Sequence, residues 1–259
     1  MLVLLEHIFL GIVQGLTEFL PISSTGHLVL FRMLFDMQEA GLLFDTMLHF
    51  GTLIAVVIVF WSEVRHVLLN PTGKLARLLF VGTIPTAAIG LLFEDFFEEI
   101  SRTGLTIGWE FLATGAILWA VESMRRGTRT FEQITYADAL IIGTLQGAAI
   151  LPAISRSGLT IAGSLMRGIA RADAARFSFL LSLPAILGAS GLQTVKLIKT
   201  PLETIDLIPM IVGTGFAAIA GYVAIRWMLK IIRNGSMKGF AVYVWILGAV
   251  ILAMQFMGH

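Results

Sequence analysis

Twice in this chain a proline interrupts an apolar stretch at a near-fixed distance from a glutamine-glycine pair. QGLTEFLPISSTGH runs from Gln14 to His27, and QGAAILPAISRSGLT runs from Gln146 to Thr160. Gln14 to Gly26 and Gln146 to Gly158 are each twelve positions apart, so a one-residue slip at the proline is compensated before the glycine. Proline removes a backbone donor and serine competes for backbone hydrogen bonds, so neither copy continues as one helix. The spacing predicts two half-helices around each break, and the recurrence predicts a duplicated unit.

The surroundings make those breaks costly. Of 259 residues, 57% are hydrophobic and only 14% are charged, with a mean hydropathy of +0.88; this is the composition of an integral membrane protein. Non-helical backbone at membrane depth is tolerated only where protein buries it or water fills a cavity. Two polar breaks therefore predict an internal polar site. Apolar segments near the spanning length of about 20 residues lie at 44–62, 76–93, 107–123, 175–197, 207–228 and 239–257. The expected fold is all-α, with six transmembrane helices and two re-entrant helical hairpins at 2–32 and 136–166. It forms a single membrane domain of two repeats, 1–123 and 136–257. Three crossings per repeat is an odd number, so the second repeat enters from the opposite face. Such an inverted-topology repeat places its site near the midplane, at the repeat interface. Pro85 and Pro184, each five residues after a phenylalanine, read as matched kinks.

Loop charges orient the chain. Thirteen of the eighteen Lys and Arg residues, among them Arg65, Lys74, Arg77, Arg125, Arg129, Arg171 and Lys238, fall on one face. Arg32, Arg102, Lys196 and Lys199 fall on the other, and Arg156 is intramembrane. The positive-inside rule puts the thirteen in the cytoplasm, and both termini and the opening of the site outside. A net charge of +1 gives nucleic-acid binding nothing to rest on. The absence of cysteine removes disulfides and thiolate chemistry. The apolar N-terminus lacks a basic flank and a cleavage site and is read as retained.

Within the motifs, Gln14 and Glu18 are four apart and share one helix face. They can reach a divalent cation, or Glu18 can orient a nucleophile; the bland alternative is a structural hydrogen bond. Intramembrane carboxylates are expensive and usually functional. Ser23, Ser24 and Thr25 precede Gly26 where the first hairpin turns, supplying hydroxyls and free N–H groups to an anion or simply capping the helix. His27 can serve as general base or as phosphoryl acceptor. Arg156, flanked by Ser155 and Ser157 and followed by Thr160, demands an anionic partner, either Glu18 or a ligand phosphate. Asp45 and His49 also share a helix face; they can support the site from behind its first ring of residues, but read better as an interfacial structural pair.

These residues resemble the undecaprenyl-diphosphate phosphatases of bacteria, also called bacitracin-resistance proteins, over nearly the full length. One family signature leads through an E/Q-x-x-x-E segment into a Ser-Ser-Thr-Gly-His turn, met by Gln14, Glu18 and Ser23 to His27. The other, P-G-x-S-R-S-x-x-T, is met by Pro152, Ser155, Arg156, Ser157 and Thr160, with Ala153 where the family usually has glycine. The resemblance implies hydrolysis of a polyprenyl diphosphate on the outer side of the bacterial inner membrane. That reaction recycles the lipid carrier of peptidoglycan synthesis and confers bacitracin resistance. It also implies dependence on a divalent cation, Mg²⁺ or Ca²⁺. On this reading Glu18, Ser24, His27 and Arg156 are catalytic, Glu18 and Gln14 hold the metal, and Ser23, Thr25, Ser155, Arg156, Ser157 and Thr160 bind phosphate. Ser24, His27 and water all stand as the attacking group. A homodimer is compatible with the chain, but no residue argues for one. The PAP2-type phosphatases need a second histidine where this chain has Ala162. A rival of another class is a polyprenyl-phosphate transporter, since inverted repeats with broken helices are also transporter architecture.

Overall fold

The computed structural model describes residues 1–35, 41–124, 126–198 and 207–257; Arg125 and Lys199, two of the cations used for orientation, lie outside them. The described residues form twelve α-helices and no strand. These are α1 (Leu2–Phe19), α2 (Ser24–Leu34), α3 (Gly41–Val59), α4 (Trp61–Leu69), α5 (Lys74–Leu92), α6 (Glu94–Thr103), α7 (Ile107–Glu122), α8 (Tyr136–Ala148), α9 (Arg156–Met166), α10 (Arg171–Ile198), α11 (Leu207–Asn234) and α12 (Lys238–Phe256).

Each motif breaks where its proline predicts. Helix α1 stops at Leu20, whose extended conformation (φ −75°, ψ 144°) is the one the following Pro21 favours. The chain then turns and α2 packs back on α1, as α9 packs on α8. A serine caps each returning helix: Ser23 Oγ accepts the Gly26 N–H at 3.4 Å and Ser155 Oγ accepts the Gly158 N–H at 3.1 Å.

The helices pack in an exchangeable pattern. Helix α1 runs along α11 and α8 along α5, while α3 pairs with α10 and α7 with α12. Swapping the first half's helices for their counterparts in the second maps these four contacts onto one another or onto themselves. Small residues bring the seams close, as lipid-embedded helices require when dispersion replaces the hydrophobic effect. At Gly143 of α8 an added Cβ would sit 1.8 Å from the Gly82 carbonyl oxygen of α5.

Five described helices, α1, α5, α10, α11 and α12, are long and apolar enough to cross a bilayer, and a sixth is added if α3 and α4 count as one span. That last pair bends by 88° after Val59, so the segment expected at 44–62 stops short and Trp61–Leu69 leaves sideways. Apolarity runs through the bend and hides it from a sequence window. Helix α7 has 16 residues, fewer than the ~20 of an ordinary span. Pro85 and Pro184 lie inside α5 and α10, at the positions expected.

Polar contacts concentrate at one end of the bundle. Asp138, at the start of α8, binds Arg129 at 2.6 Å and Arg167 at 2.8 Å. Arg171 binds Glu122 at 2.9 Å and the Ile232 carbonyl at 2.7 Å, and Arg176 binds Glu63 at 2.6 Å. Helix α5 starts at this end with Lys74. Its 19 residues at about 1.5 Å each carry α6 to the far end, about 28 Å away.

Candidate active site

The two turns are tied crosswise. Ser23 Oγ donates to the Pro152 carbonyl at 2.6 Å, and Ser157 Oγ donates to the Leu20 carbonyl at 3.0 Å. The acceptors occupy equivalent places in the two copies, 132 positions apart. Backbone carbonyls freed by the two breaks thus find donors from the opposite hairpin. Ser23 takes φ +66° to reach its partner. For a non-glycine residue this backbone costs on the order of 1–3 kcal/mol and persists only where surroundings enforce it. The turns touch closely: a Cβ on Gly26 would meet Phe111 Cζ at 2.7 Å and Ala153 Cβ at 3.1 Å. Ala153 has no positive φ, so a side chain costs it no backbone strain.

Holding the turns together brings Glu18 of α1 against the start of α9. Glu18 Oε1 accepts from Arg156 Nη2 at 2.6 Å, across 138 residues of sequence. Its other oxygen, Oε2, accepts from Gln14 Nε2 at 3.0 Å and from the Ser24 hydroxyl. Glu18 and Ser24 are buried, and Arg156 is nearly so, with 16% of its side chain exposed. The Arg156 partner left open by the sequence is therefore Glu18 in this structure. The pairing is incomplete, since Arg156 Nη1 and Gln14 Oε1 are buried without a hydrogen-bond partner among the described residues.

A cavity of about 900 Å³ opens beside this cluster. Glu18, Ser23, Ser24, Thr25, Ser155 and Arg156 line it, so six of the ten expected site residues come together on one wall. Apolar side chains of α5, of the turn after α8 and of α10, including Leu91, Ile150 and Ile186, form other walls, and Glu94, Phe97, Glu98 and Ser101 of α6 stand at the far end of the bundle. The other four lie behind the surface. Gln14 touches Glu18 from the protein side. Ser157 is spent on the Leu20 carbonyl, and Thr160 Oγ1 on the Arg156 carbonyl at 2.8 Å and on Ser178 at 2.5 Å. His27 is buried with both ring nitrogens engaged, Nδ1 with the Ser23 carbonyl at 2.6 Å and Nε2 with Tyr243 Oη at 2.8 Å.

Two parts of the site escape the sequence reading. His49 lines the cavity with Nε2 4.0 Å from Glu18 Oε2, while Asp45 turns away to pair with Arg32. The i, i+4 spacing suggests a pair of side chains, but His49 Nδ1 instead meets the Asp45 backbone carbonyl at 2.8 Å. Tyr243 is the other part, because a tyrosine in an apolar span gives no signal until the fold sets it on His27.

Comparison with known proteins places this chain in a family. The chain is 56% identical over 252 residues to a Bacillus cereus protein named undecaprenyl-diphosphatase 4, covering 97% of each chain. It is 50% identical to an undecaprenyl-diphosphatase of Carboxydothermus hydrogenoformans, covering 98% of each. A third relative, from Desulfatibacillum aliphaticivorans and also named undecaprenyl-diphosphatase, is 40% identical over 274 residues. The family described as bacitracin resistance protein BacA matches residues 7–250, which include both hairpin turns and every residue that lines the cavity, and the chain belongs to that family.

Proposed function

We propose that the chain hydrolyses undecaprenyl diphosphate to undecaprenyl phosphate and inorganic phosphate at the cavity between the two hairpins. One observation carries this reading. A serine hydroxyl bound to a carboxylate, and an arginine bound to the same carboxylate, share the wall of a cavity large enough for a diphosphate.

An entering diphosphate competes with Glu18 for Arg156, whose planar fork and unpartnered Nη1 suit phosphate oxygens. Ser24 Oγ, aligned by Glu18, attacks the terminal phosphorus and its proton passes to the carboxylate. The bond from that phosphorus to the bridging oxygen breaks, and the lipid leaves as a phosphate monoester. Water then attacks the phosphoserine, Ser24 Oγ recovers the proton from Glu18, and the water's proton leaves with inorganic phosphate. His27, held by Ser23 and Tyr243 behind the turn, orients the Ser23–Ser24 segment. A divalent cation, Mg²⁺ or Ca²⁺, would be held by the hard carboxylate oxygens of Glu18 at the cavity wall, and Gln14, which faces Glu18 through Nε2 from behind, would join with its amide turned over, its Oε1 being buried without a donor. When bound it neutralises charge developing on the transferred phosphoryl.

We further assign the two halves to an inverted repeat with re-entrant hairpins, supported by the exchangeable helix contacts. The basic end of the bundle belongs in the cytoplasm, which sets the α6 mouth of the cavity on the outer side of the inner membrane. There the product rejoins the lipid carrier of peptidoglycan synthesis, and its supply opposes bacitracin.

The test uses the purified chain and undecaprenyl diphosphate labelled on its terminal phosphate. Expected results are phosphate release, abolished by Glu18→Ala and Arg156→Ala, and acid-stable label on the protein that Ser24→Ala removes. Acid-labile, base-stable label that survives Ser24→Ala and disappears with His27→Ala transfers the attack to His27. Translocation of intact lipid phosphate across sealed vesicles, with no phosphate release, replaces the hydrolase with a transporter.

A further inference from the structure

A second intramembrane carboxylate serves neither the cavity nor an ion pair. Glu110, in the first turn of α7, is 6% exposed, and no Lys, Arg or His pairs with it among the described residues. A carboxylate in such surroundings is expensive and needs strong hydrogen bonds to persist. Glu110 Oε2 accepts the backbone N–H of Ala153 at 2.6 Å, and Oε1 accepts the Thr106 hydroxyl at 2.5 Å. One helical turn along the same face, Thr114 Oγ1 donates to the Ala153 carbonyl at 3.0 Å and accepts the Ser155 N–H at 3.2 Å. Both backbone polar groups of Ala153 and the N–H of Ser155 are therefore held by α7. The Pro152 carbonyl is already held by Ser23. Three residues after Ala153 stands Arg156, the first residue of α9.

We propose that Glu110, acting with Thr114, is a positioning residue that fixes the second hairpin's turn and so aims Arg156 at the phosphate. The inference rests on the hydrolase reading above and adds a role for a residue outside the cavity. Its chemistry is specific. A charged acceptor makes a shorter and stronger bond to an N–H than a hydroxyl or amide does. Here that bond is made to the turn that carries the site's arginine. Loosening the turn moves a guanidinium that must meet phosphate oxygens in fixed geometry, and small misplacements of such groups are costly.

The experiment measures phosphate release from undecaprenyl diphosphate by the wild type and by Glu110→Ala, Glu110→Gln, Thr114→Val and Thr114→Ser. Glu110→Ala is expected to raise KM about tenfold with kcat kept within about twofold, because substrate gripping and not chemistry is what loosens. Glu110→Gln keeps an acceptor oxygen for the Ala153 N–H and brings KM back to within about threefold of wild type. A purely structural role lowers kcat with the fraction of folded protein and leaves KM alone, and that result overturns the proposal. Failure of Glu110→Gln to restore KM overturns it as well. Where Glu110→Ala does not fold, Thr114→Val carries the same test: a raised KM that Thr114→Ser restores supports the clamp, and an unchanged KM refutes it. A wild type that releases no phosphate brings down the hydrolase reading itself, a result separable from a wild type that is active while KM stays fixed across the variants.

Discussion

At the residue scale, Glu18 is where the site's demands meet. Its carboxylate serves Gln14 and Ser24 through one oxygen and Arg156 through the other. The Gln14–Glu18 half is legible in the sequence, since four residues on a helix make one face. The Glu18–Arg156 half is legible only as one option, because nothing local says that positions 138 apart will meet. The rule that marks Glu18, a carboxylate in an apolar stretch, applies equally to Glu110, but no motif surrounds that residue to single it out. His49 shows the opposite failure, where spacing to Asp45 outweighs a cavity that only the fold reveals. Arg156 has the most specific geometric role. Arg156→Lys keeps the charge but loses the planar fork that can hold Glu18 or phosphate at two points. We expect it to cost about 2–3 kcal/mol of transition-state binding, on the order of a hundredfold in kcat/KM. Steady-state kinetics on the lysine variant check this, and a loss below about threefold would show that charge alone suffices.

At the element scale, the proline motifs predict both chain reversals, because Leu20 must be extended before Pro21 and the serines cap the returning helices. The short helices α4 and α6 are not legible. Helix α4 leaves through a right-angled bend at Phe60, one residue before the apolar run ends at Trp61, and α6 hides its amphipathic face in a ten-residue acidic segment. The seams between half-helices and spans are invisible too, since a glycine's use depends on what lies opposite. Gly143 is the tightest case. A methyl there would overlap the Gly82 carbonyl, so Gly143→Ala must push α8 away from α5 and carry Gln146, on the same helix, with it. Overpacking of this kind costs about 1–3 kcal/mol. Thermal unfolding in detergent is expected to show that loss together with reduced phosphate release. Gly239→Ala, at a position with open space around it, is the control that leaves both unchanged.

At the scale of the whole molecule, the two copies of the motif meet at one cavity and differ in the side chains they bring to it. Position 24 carries the serine hydroxyl in the first copy, and its equivalent, position 156, carries arginine. Glu18 corresponds to Ile150 in the same register, so the serine proposed to attack and the carboxylate come from one half and the guanidinium from the other. On the proposed topology the halves enter the membrane from opposite faces, which the loop charges and the basic end of the bundle both favour. The chain has no cysteine, so a single introduced thiol reports its own side without background. Thr103→Cys, exposed at the end of α6, and Ser236→Cys, exposed between α11 and α12, lie toward opposite ends of the bundle. In intact cells a membrane-impermeant maleimide is expected to label position 103 directly and position 236 only after the membrane is opened. The reverse pattern would turn the cavity's mouth toward the cytoplasm and remove the outer-face reaction. Equal labelling of both in intact cells would show that the ends share one side, which an odd number of crossings per half does not allow.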